Sequence, residues 1–223
     1  MIDFNSRQAV AAIIDQTLLQ PSVDRHQVQS FCEKAAELGF AAVCVAPCWV
    51  QIAVSIVGGS GVRVCTVAGF PLGFEPVEVK SKAAKAALSA GADELDYVVN
   101  LGAVKGDEQQ FIAEEMKALR RAGERRVLKV ILETGYLTRR EKEWLCSLAV
   151  ESGLDFVKTA SGFGPVGATV SDVKLLAEHG QGRIKVKAAG GIRTLEDLEK
   201  MVLAGASRIG TSAGAEIVVQ AGE

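Results

Sequence analysis

Charged residues interrupt four apolar segments in the middle and later parts of the sequence. They are Asp96 in ELDYVVN, Lys129 in VLKVILET, Lys158 in FVKTA and Lys187 in IKVKAA. Alternate residues of a β-strand point to opposite faces, so each segment places its charge on one face of a strand. A single lysine could reach water from a strand end. Four such charges on neighbouring strands are costly to bury without a partner, so we interpret them as one active site.

The residue types in this set indicate chemistry at a carbonyl group. A lysine attacks a carbonyl only as the free amine, and both burial and a neighbouring cation favour that form. Lys158 has Lys187 on the adjacent predicted strand, so we expect Lys158 to be a covalent nucleophile that forms a Schiff base. Asp96 is expected to move protons to and from the intermediates. Lys129 and Asp15 complete the predicted catalytic set, with a strand-end hydrogen bond or a helix cap as the alternative role of Asp15.

The histidines do not indicate a metal enzyme. Zinc catalysis typically uses clustered imidazole ligands. His26 and His179 lie in separate helical patterns, and neither has a second histidine or a glutamate at ligand spacing. We interpret both as surface residues and predict no metal and no cofactor.

Composition and charge argue against several classes of protein. The chain has 25 Lys and Arg against 27 Asp and Glu, a formal charge of −2, and no basic stretch interleaved with aromatics. A nucleic-acid partner is therefore not indicated. The first residues, MIDFNSRQAV, lack the pattern of a signal peptide, and the apolar run from Ala41 is interrupted by Pro47. We expect no membrane span and a cytoplasmic protein.

The cysteines are odd in number and include no Cys-x-x-Cys pair. Free cysteine behaves as a small apolar residue and is often buried, and disulfides are rare in a reducing cytosol. We therefore expect all five to be buried apolar residues: Cys32, Cys44, Cys48, Cys65 and Cys146.

A helix, a glycine and an apolar strand recur in that order along the chain. Glycine suits the left-handed residue that closes a helix, and Gly39, Gly91, Gly153 and Gly205 each stand shortly before an apolar segment. The predicted strands are Ile13–Leu18, Ala42–Val45, Arg63–Val67, Leu95–Val99, Leu128–Leu132, Phe156–Thr159, Lys185–Ala188 and Arg208–Gly210. Helical patterns lie at roughly 24–38, 48–57, 76–90, 108–122, 139–152, 170–178, 195–204 and 212–220.

Strict alternation of strands and helices predicts a parallel sheet covered by helices. Eight such units in 223 residues fit an α/β fold of one domain, a (β/α)8 TIM barrel over residues 1–223. An open, doubly wound sheet is the alternative. Its usual Gly-x-Gly-x-x-Gly signature is absent, because the first strand runs into LLQPSVD.

Small and polar residues follow the last three predicted strands. In βα barrels the loops after strands seven and eight often bind phosphate through backbone N–H groups and a helix N-terminus. Glycines also form ordinary turns, but their position at the carboxyl ends of the last strands favours a phosphate site. The candidates are Ser161, Gly162, Gly190, Gly191, Gly210, Thr211 and Ser212.

Six segments, in this order, resemble the deoxyribose-phosphate aldolase family: VCTVAGFPLG, GADELDYVVNLGA, LKVILETG, FVKTASGFGPVGAT, VKAAGGIRT and GASRIGTS. The resemblance runs from IDQTLLQP to the last helix. It implies a class I aldolase that reversibly splits 2-deoxy-D-ribose 5-phosphate into acetaldehyde and D-glyceraldehyde 3-phosphate. It also implies that Lys158 forms the Schiff base, and that Lys187 and Asp96 donate and accept protons.

Three positions differ from the residues that are frequent in that family. Gln16, Ala46 and Ala160 stand where histidine, asparagine and serine, respectively, are frequent. They lie next to the implied site, so turnover or aldehyde preference is expected to differ.

Two other functions remain open at this point. A sugar-phosphate isomerase or epimerase would use Asp96 as a base and form no imine. A catalytically silent barrel would bind a sugar phosphate without cleaving it. In each case the partner is a small phosphorylated molecule, and a homo-oligomer, a dimer or tetramer, is expected because oligomers are common among such barrels.

Overall fold

The structure is a computed structural model that describes residues 2–222. Eight parallel strands close into a barrel in the order of the sequence, and the last strand pairs with the first. The strands are β1 (Ile14–Leu18), β2 (Ala42–Val45), β3 (Arg63–Ala68), β4 (Glu94–Val98), β5 (Val127–Ile131), β6 (Phe156–Lys158), β7 (Lys185–Ala189) and β8 (Arg208–Thr211). The predicted (β/α)8 barrel is confirmed. Met1 and Glu223, the ends of the predicted domain, lie outside the described residues.

Helices alternate with these strands. They are α1 (Arg7–Ala11), α2 (Arg25–Leu38), α3 (Val50–Val57), α4 (Val77–Ser89), α5 (Leu101–Lys105), α6 (Gln109–Gly123), α7 (Arg139–Glu151), α8 (Val170–Gly180), α9 (Leu195–Leu203) and α10 (Gly214–Gln220). Short 3₁₀-helices lie at Pro47–Trp49 and Thr134–Tyr136. Reciprocal capping starts α2, where the Asp24 side chain accepts from the Gln27 amide at 2.8 Å and the Gln27 side chain accepts from the Asp24 amide at 2.9 Å.

The four glycines that the sequence predicts at helix ends all have positive φ. The angles are 68° at Gly39, 106° at Gly91, 70° at Gly153 and 113° at Gly205. A residue with a Cβ is strained in this conformation, so glycine lets each helix turn directly into the next strand.

Two short helices and one cysteine differ from the sequence-based predictions. Helices α1 and α5 were not predicted, because five residues are too few to display a helical period. The prediction that Cys48 is buried is wrong: it is exposed, whereas the other four cysteines are buried. Cys48 lies in the 3₁₀-helix after Pro47, and the predicted helix 48–57 begins only at Val50. The apolar strand has already ended at this point.

The apolar core lies mainly between the strands and the surrounding helices. A smaller apolar cluster consists of Ala42, Cys44, Cys65 and Val67, with Leu19 and Phe70 packed against it. Its strand residues belong to β2 and β3, so these two strands contribute apolar side chains where the later strands contribute charges. Among the described residues, no helix combines the length and apolar character needed to cross a membrane.

A buried ion pair joins α4 to α6 outside the barrel wall. Lys80 Nζ lies 2.7 Å from Glu115 Oε1 and donates to the Val98 carbonyl at 2.8 Å. The other carboxylate oxygen of Glu115 accepts from the Asn100 amide at 3.1 Å. The pair therefore ties two helices to the end of β4, two residues beyond Asp96.

Candidate active site

Six strands bring seven charged side chains together inside the barrel. We call this set the lumen cluster: Asp15, Glu94, Asp96, Lys129, Lys158, Lys187 and Arg208. Asp96 lies at its centre. Its Oδ1 accepts from Lys129 Nζ at 2.8 Å, and its Oδ2 accepts from Lys158 Nζ at 2.9 Å and from Lys187 Nζ at 2.8 Å. The register explains this convergence, because Asp96 is level with Lys129, and Lys158 is level with Lys187.

Two of the three lysines have further carboxylate partners. Lys129 Nζ lies 2.6 Å from Glu94 Oε2 and 3.8 Å from Asp15 Oδ2. Lys187 Nζ lies 2.5 Å from Asp15 Oδ2. Lys158 forms its ion pair with the central aspartate alone, through an oxygen that it shares with Lys187. Lys158 is therefore the least compensated of the three.

Arg208 connects the two outer carboxylates. Its guanidinium donates to Asp15 Oδ1 and lies 3.4 Å from both oxygens of Glu94. The structure thus brings all five predicted catalytic residues into one cluster and adds Arg208 and Glu94 to them. Strand alternation contained the signal for both, because Glu94 shares a face with Asp96 and Arg208 shares a face with Gly210.

Burial and ion pairing act in opposite directions on these groups. Burial raises the pKa of Asp96, but the three lysines outweigh it and hold that pKa well below its usual range. Burial also raises the pKa of Asp15, while Lys187 and the other cations bring it down to about 2. Burial lowers the pKa of both Lys129 and Lys187, but the neighbouring carboxylates raise each above its usual value. At neutral pH, Asp96 is an anion and Lys187 is a cation beside Lys158.

A cavity of about 380 Å³ opens over the lumen cluster at the carboxyl ends of β1, β6, β7 and β8. Lys158 lines this cavity together with all seven residues of the predicted phosphate site. The side chain of Lys158 is 3% exposed, whereas those of Lys129 and Lys187 are completely buried. A molecule that enters the cavity can therefore reach the amine of Lys158.

Hydrogen bonds within the protein already use part of the predicted phosphate site. The Thr211 hydroxyl donates to the Ile192 carbonyl at 2.7 Å and accepts from the Ala213 amide at 3.0 Å. The Ser161 hydroxyl accepts from the Phe163 amide at 3.0 Å, which leaves its own proton to donate. Thr211 therefore shapes its loop, while Ser161 and the exposed Ser212 keep hydroxyl donors for a ligand.

Glycine allows two of these loops to touch through their backbones. A Cβ on Gly190 would lie 2.9 Å from the Gly167 Cα, and φ at Gly190 is 93°. The Ala168 amide donates to the Gly190 carbonyl at 2.9 Å. The loops after β6 and β7 therefore form one continuous wall of the cavity.

Two groups of buried side chains have ligand atoms within 4.8 Å of one another, close enough to hold a metal ion: Cys44, Cys65 and Asp96, and Asp15, Cys65 and Glu94. The carboxylates of both groups already pair with lysine or arginine, whose positive charges oppose a second cation. The histidines lie elsewhere. His26 is exposed, and His179 is half-buried with its ring 2.7 Å from the Ser147 hydroxyl.

Residues 9–218 match the sequence profile of the DeoC/LacD family aldolases. The chain belongs to this aldolase family. It is 46% identical over 213 residues to a deoxyribose-phosphate aldolase of Thermoanaerobacter sp. (strain X514), covering 94% of this chain and 95% of that protein. A putative deoxyribose-phosphate aldolase from Coccidioides immitis superposes with a TM-score of 0.94 at 40% identity, covering 96% of this chain and 86% of that one. A tetrameric deoxyribose phosphate aldolase from Aeropyrum pernix gives 0.88 at 31% identity, with 98% and 96% covered.

The three unusual positions of this aldolase have different surroundings. The Gln16 side chain donates to the Ser212 carbonyl at 3.2 Å and accepts from the Gly214 amide at 2.9 Å, so it holds the loop after β8. Ala46 is half-buried and precedes the 3₁₀-helix after β2. Ala160 is buried, and a Cβ on Gly190 would lie 3.5 Å from its methyl group. Gln16 thus contacts the predicted phosphate site and not the charged centre.

Proposed function

We propose that this aldolase reversibly cleaves 2-deoxy-D-ribose 5-phosphate into acetaldehyde and D-glyceraldehyde 3-phosphate through a Schiff base on Lys158. The position of this amine carries the proposal. Lys158 lines the cavity, and its Nζ lies 2.9 Å from Asp96 Oδ2, where Lys187 Nζ lies 2.8 Å from the same oxygen. Relatives that are 43% and 46% identical to the chain are deoxyribose-phosphate aldolases, which supports the same substrate.

The charge balance of the lumen cluster favours Lys158 as the nucleophile. The cluster contains four basic side chains and three carboxylates, so one positive charge is in excess when all are ionised. Lys129 and Lys187 each contact two or more carboxylates, whereas one lysine contacts a single carboxylate oxygen that it shares. Lys158 is that lysine, and it is also the one that the cavity reaches.

The reaction then follows from the chemistry of a neutral amine. Lys158 adds to the aldehyde carbon C1 of the open-chain sugar, and loss of water from the carbinolamine gives an iminium ion. A base takes the proton of the C3 hydroxyl, the C2–C3 bond breaks, and its electron pair forms the enamine as D-glyceraldehyde 3-phosphate leaves. Protonation of C2 and addition of water release acetaldehyde and restore the amine.

The neighbours of Lys158 are suited to opposite proton transfers. Asp96 is held as an anion and accepts protons, whereas Lys187 is held as a cation and donates them. Water carries protons to the atoms that neither side chain reaches. Lys129 and Asp15 position this pair, because Lys129 contacts Asp96 and Asp15 contacts Lys187.

The phosphate group is assigned to the loops after β6, β7 and β8. Hydroxyl protons of Ser161 and Ser212 and the glycine backbones at Gly162, Gly190 and Gly191 surround that part of the cavity. Backbone N–H groups at such loops are suited to an anion. The proposal extends to a cytoplasmic homo-oligomer, for which the tetrameric relative from Aeropyrum pernix is the supporting observation.

Reductive trapping tests the nucleophile directly. The protein is incubated with acetaldehyde and borohydride and then digested, and the masses of its lysine-containing peptides are measured by mass spectrometry. We expect an ethyl group on Lys158, with the peptides that contain Lys129 and Lys187 unchanged as internal controls. Modification at another lysine, or none in an active preparation, would overturn the assignment.

A coupled assay separates the proposed reaction from the two alternatives. Release of D-glyceraldehyde 3-phosphate from 2-deoxy-D-ribose 5-phosphate identifies the aldolase. An isomerase or epimerase would exchange a substrate hydrogen with solvent and release no triose phosphate, and a silent barrel would bind the sugar phosphate without either outcome.

A further inference from the structure

We propose that Glu133 is a positioning residue that fixes the loop after β6 in the shape that binds the phosphate end of the substrate. This inference deepens the proposed function and rests on it for the identity of the ligand. Glu133 is absent from the predicted site and does not line the cavity. Four features point to the role: its backbone conformation, its hydrogen bonds to Ser161, its fit with Gly164 and its burial.

The backbone of Glu133 has an unfavourable conformation. Two residues after β5 ends, its φ is 55° and its ψ is 60°, which is the left-handed region. This conformation is strained for a residue with a Cβ, and such strain is typical of functional sites. Glycine would adopt it freely, so the side chain of Glu133 must contribute something that glycine cannot.

The side chain reaches across to the neighbouring strand. Both carboxylate oxygens of Glu133 accept from the Ser161 amide, at 3.2 and 3.1 Å. Ser161 is three residues beyond Lys158, and its hydroxyl in turn accepts from the Phe163 amide at 3.0 Å. Ser161, Gly162 and Phe163 form a wall of the cavity. One carboxylate therefore sets the start of the loop that carries this wall.

The same loop is shaped to accept the carboxylate. A Cβ on Gly164 would lie 2.6 Å from Glu133 Oε1 and 2.7 Å from its carboxyl carbon. Only glycine leaves this space open, since a closer approach than 3.0 Å requires one group to move. Glu133 and Gly164 therefore fit each other, and the loop is held on both sides of Gly162.

The burial of this carboxylate argues against a purely structural role. Glu133 is 2% exposed, and the hydrogen bonds that it accepts come from a backbone amide and not from a cation. Burying a carboxylate is costly unless it is well paired. A stability role could be filled by a neutral side chain, whereas a carboxylate offers two acceptor oxygens to the Ser161 amide.

Binding of glycerol 3-phosphate, measured by calorimetry, tests the inference without any chemistry at Lys158. In Glu133→Gly the backbone strain is relieved while the anchor of Ser161 is lost. We expect the Kd to rise about tenfold, as for loss of one hydrogen bond, while the midpoint of urea unfolding stays at or above that of the unmodified protein. Trapping of acetaldehyde on Lys158 should persist, because it needs no phosphate.

Asp155→Asn is the matched control. Asp155 also accepts a backbone amide of the neighbouring strand, that of Leu128 at 2.8 Å, but it does so at the opposite end of the barrel. Its substitution should leave the Kd unchanged. An equal loss of binding in Asp155→Asn, or a folded Glu133→Gly protein that binds within twofold of the unmodified one, would overturn the inference.

Gly164→Ala provides a second route to the same answer, including the case in which Glu133→Gly does not fold. Its methyl group should displace the carboxylate and weaken binding, and Glu133→Gln, which keeps an acceptor oxygen, should bind better than Gly164→Ala. Unaltered binding in Gly164→Ala contradicts the inference. Failure of the proposed function is distinguishable, because acetaldehyde would then not be trapped on Lys158 in the unmodified protein, whatever the phosphate affinities.

Discussion

Lys80 and Lys158 are both buried lysines whose ammonium groups contact a buried carboxylate, yet their surroundings differ. Lys80 pairs with Glu115, and the remaining hydrogen-bonding groups of this pair bind the backbone at Val98 and Asn100. Lys158 shares one oxygen of Asp96 with Lys187 and lines a cavity. The pair of Lys80 and Glu115 is complete without a ligand. Lys158, in contrast, has no carboxylate oxygen to itself.

The lysine proposed as the nucleophile therefore resembles Lys80 in burial and in having a carboxylate partner, and differs from it in access to a cavity. The one-to-one pair of Lys80 and Glu115 fixes the geometry of both side chains. Lys158 shares its one carboxylate oxygen with a second lysine and faces a cavity, so a substrate can reach its amine. The comparison can be tested by substitutions that separate stability from activity.

The largest expected effect is the loss of activity in Lys158→Met. Without the amine no Schiff base forms, so kcat should fall by about 10⁴-fold or more. Stability should be maintained or raised, because the substitution removes the excess cation of the lumen cluster. Triose phosphate release and urea unfolding measure the two quantities. A variant that keeps a hundredth of the activity, or unfolds more readily, would contradict the comparison.

Lys80→Met should show the opposite pattern. Removing one partner leaves Glu115 buried and unpaired, which destabilises a protein by about 3–5 kcal/mol. Activity per folded molecule should change little, because Lys80 lies outside the barrel wall. Adding Glu115→Gln, which keeps an acceptor for the Asn100 amide, should recover part of the loss in urea unfolding. A double variant no more stable than the single one would show that the pair is not coupled.

Lowering the pH should change the contributions of Asp15 and Glu115 to the stability of the protein in opposite directions. The pKa of Asp15 is lowered to about 2 from 3.8, so its contribution to stability is present above pH 3.8 and is lost as the pH falls toward 2. This contribution amounts to about 2 kcal/mol. Burial raises the pKa of Glu115 above 4.5, so its effect runs the other way and stability is lost as the pH rises above 4.5.

Urea unfolding across this pH range compares Asp15→Asn and Glu115→Gln with the unmodified protein. The deficit of Asp15→Asn should shrink as the pH falls from about 4 to 2. Glu115→Gln should gain stability relative to the unmodified protein as the pH rises above about 4.5. Parallel pH dependence of the two variants would remove the distinction between the sites.

The smallest effect is expected at an exposed ion pair. Lys34 and Glu37 lie 3.0 Å apart on the surface of α2. Water and salt screen such pairs, so Lys34→Ala should change the free energy of unfolding by less than about 0.5 kcal/mol. The same unfolding measurement gives the baseline against which Lys80→Met is judged, and a comparable loss in both would weaken the role assigned to burial.

The barrel and its charged centre could be predicted from the sequence because both depend on patterns that repeat every few residues. Glycines at helix ends mark the strands that follow, and alternation within a strand places Lys129, Lys158 and Lys187 on faces that meet. The strand bounds agree with the structure to within a residue or two. The lining of the cavity by all seven predicted phosphate residues follows from the same rule, since the carboxyl ends of parallel strands meet at one rim.

Features that depend on loop conformation or on distant partners could not be predicted in this way. Glu133 lies in a left-handed backbone conformation after β5. No repeating pattern in the sequence around it indicates that its carboxylate reaches Ser161. Strand alternation places Arg208 on the same face as Gly210, but nothing local in the sequence indicates its contact with Asp15, 193 residues away. Cys48 follows an apolar strand in the sequence, but the strand ends before Pro47, and the 3₁₀-helix exposes the cysteine.

The closure of β8 onto β1 also determines when the growing polypeptide acquires its site during synthesis. Arg208 and the Gly214 amide reach back over 193 and 198 residues to Asp15 and Gln16. A ribosome-bound chain that lacks its last strand therefore holds Asp15 without its arginine and has no β8 loop for Gln16 to anchor. Competence to bind and cleave is gained in one late step, when nearly the whole chain has been made.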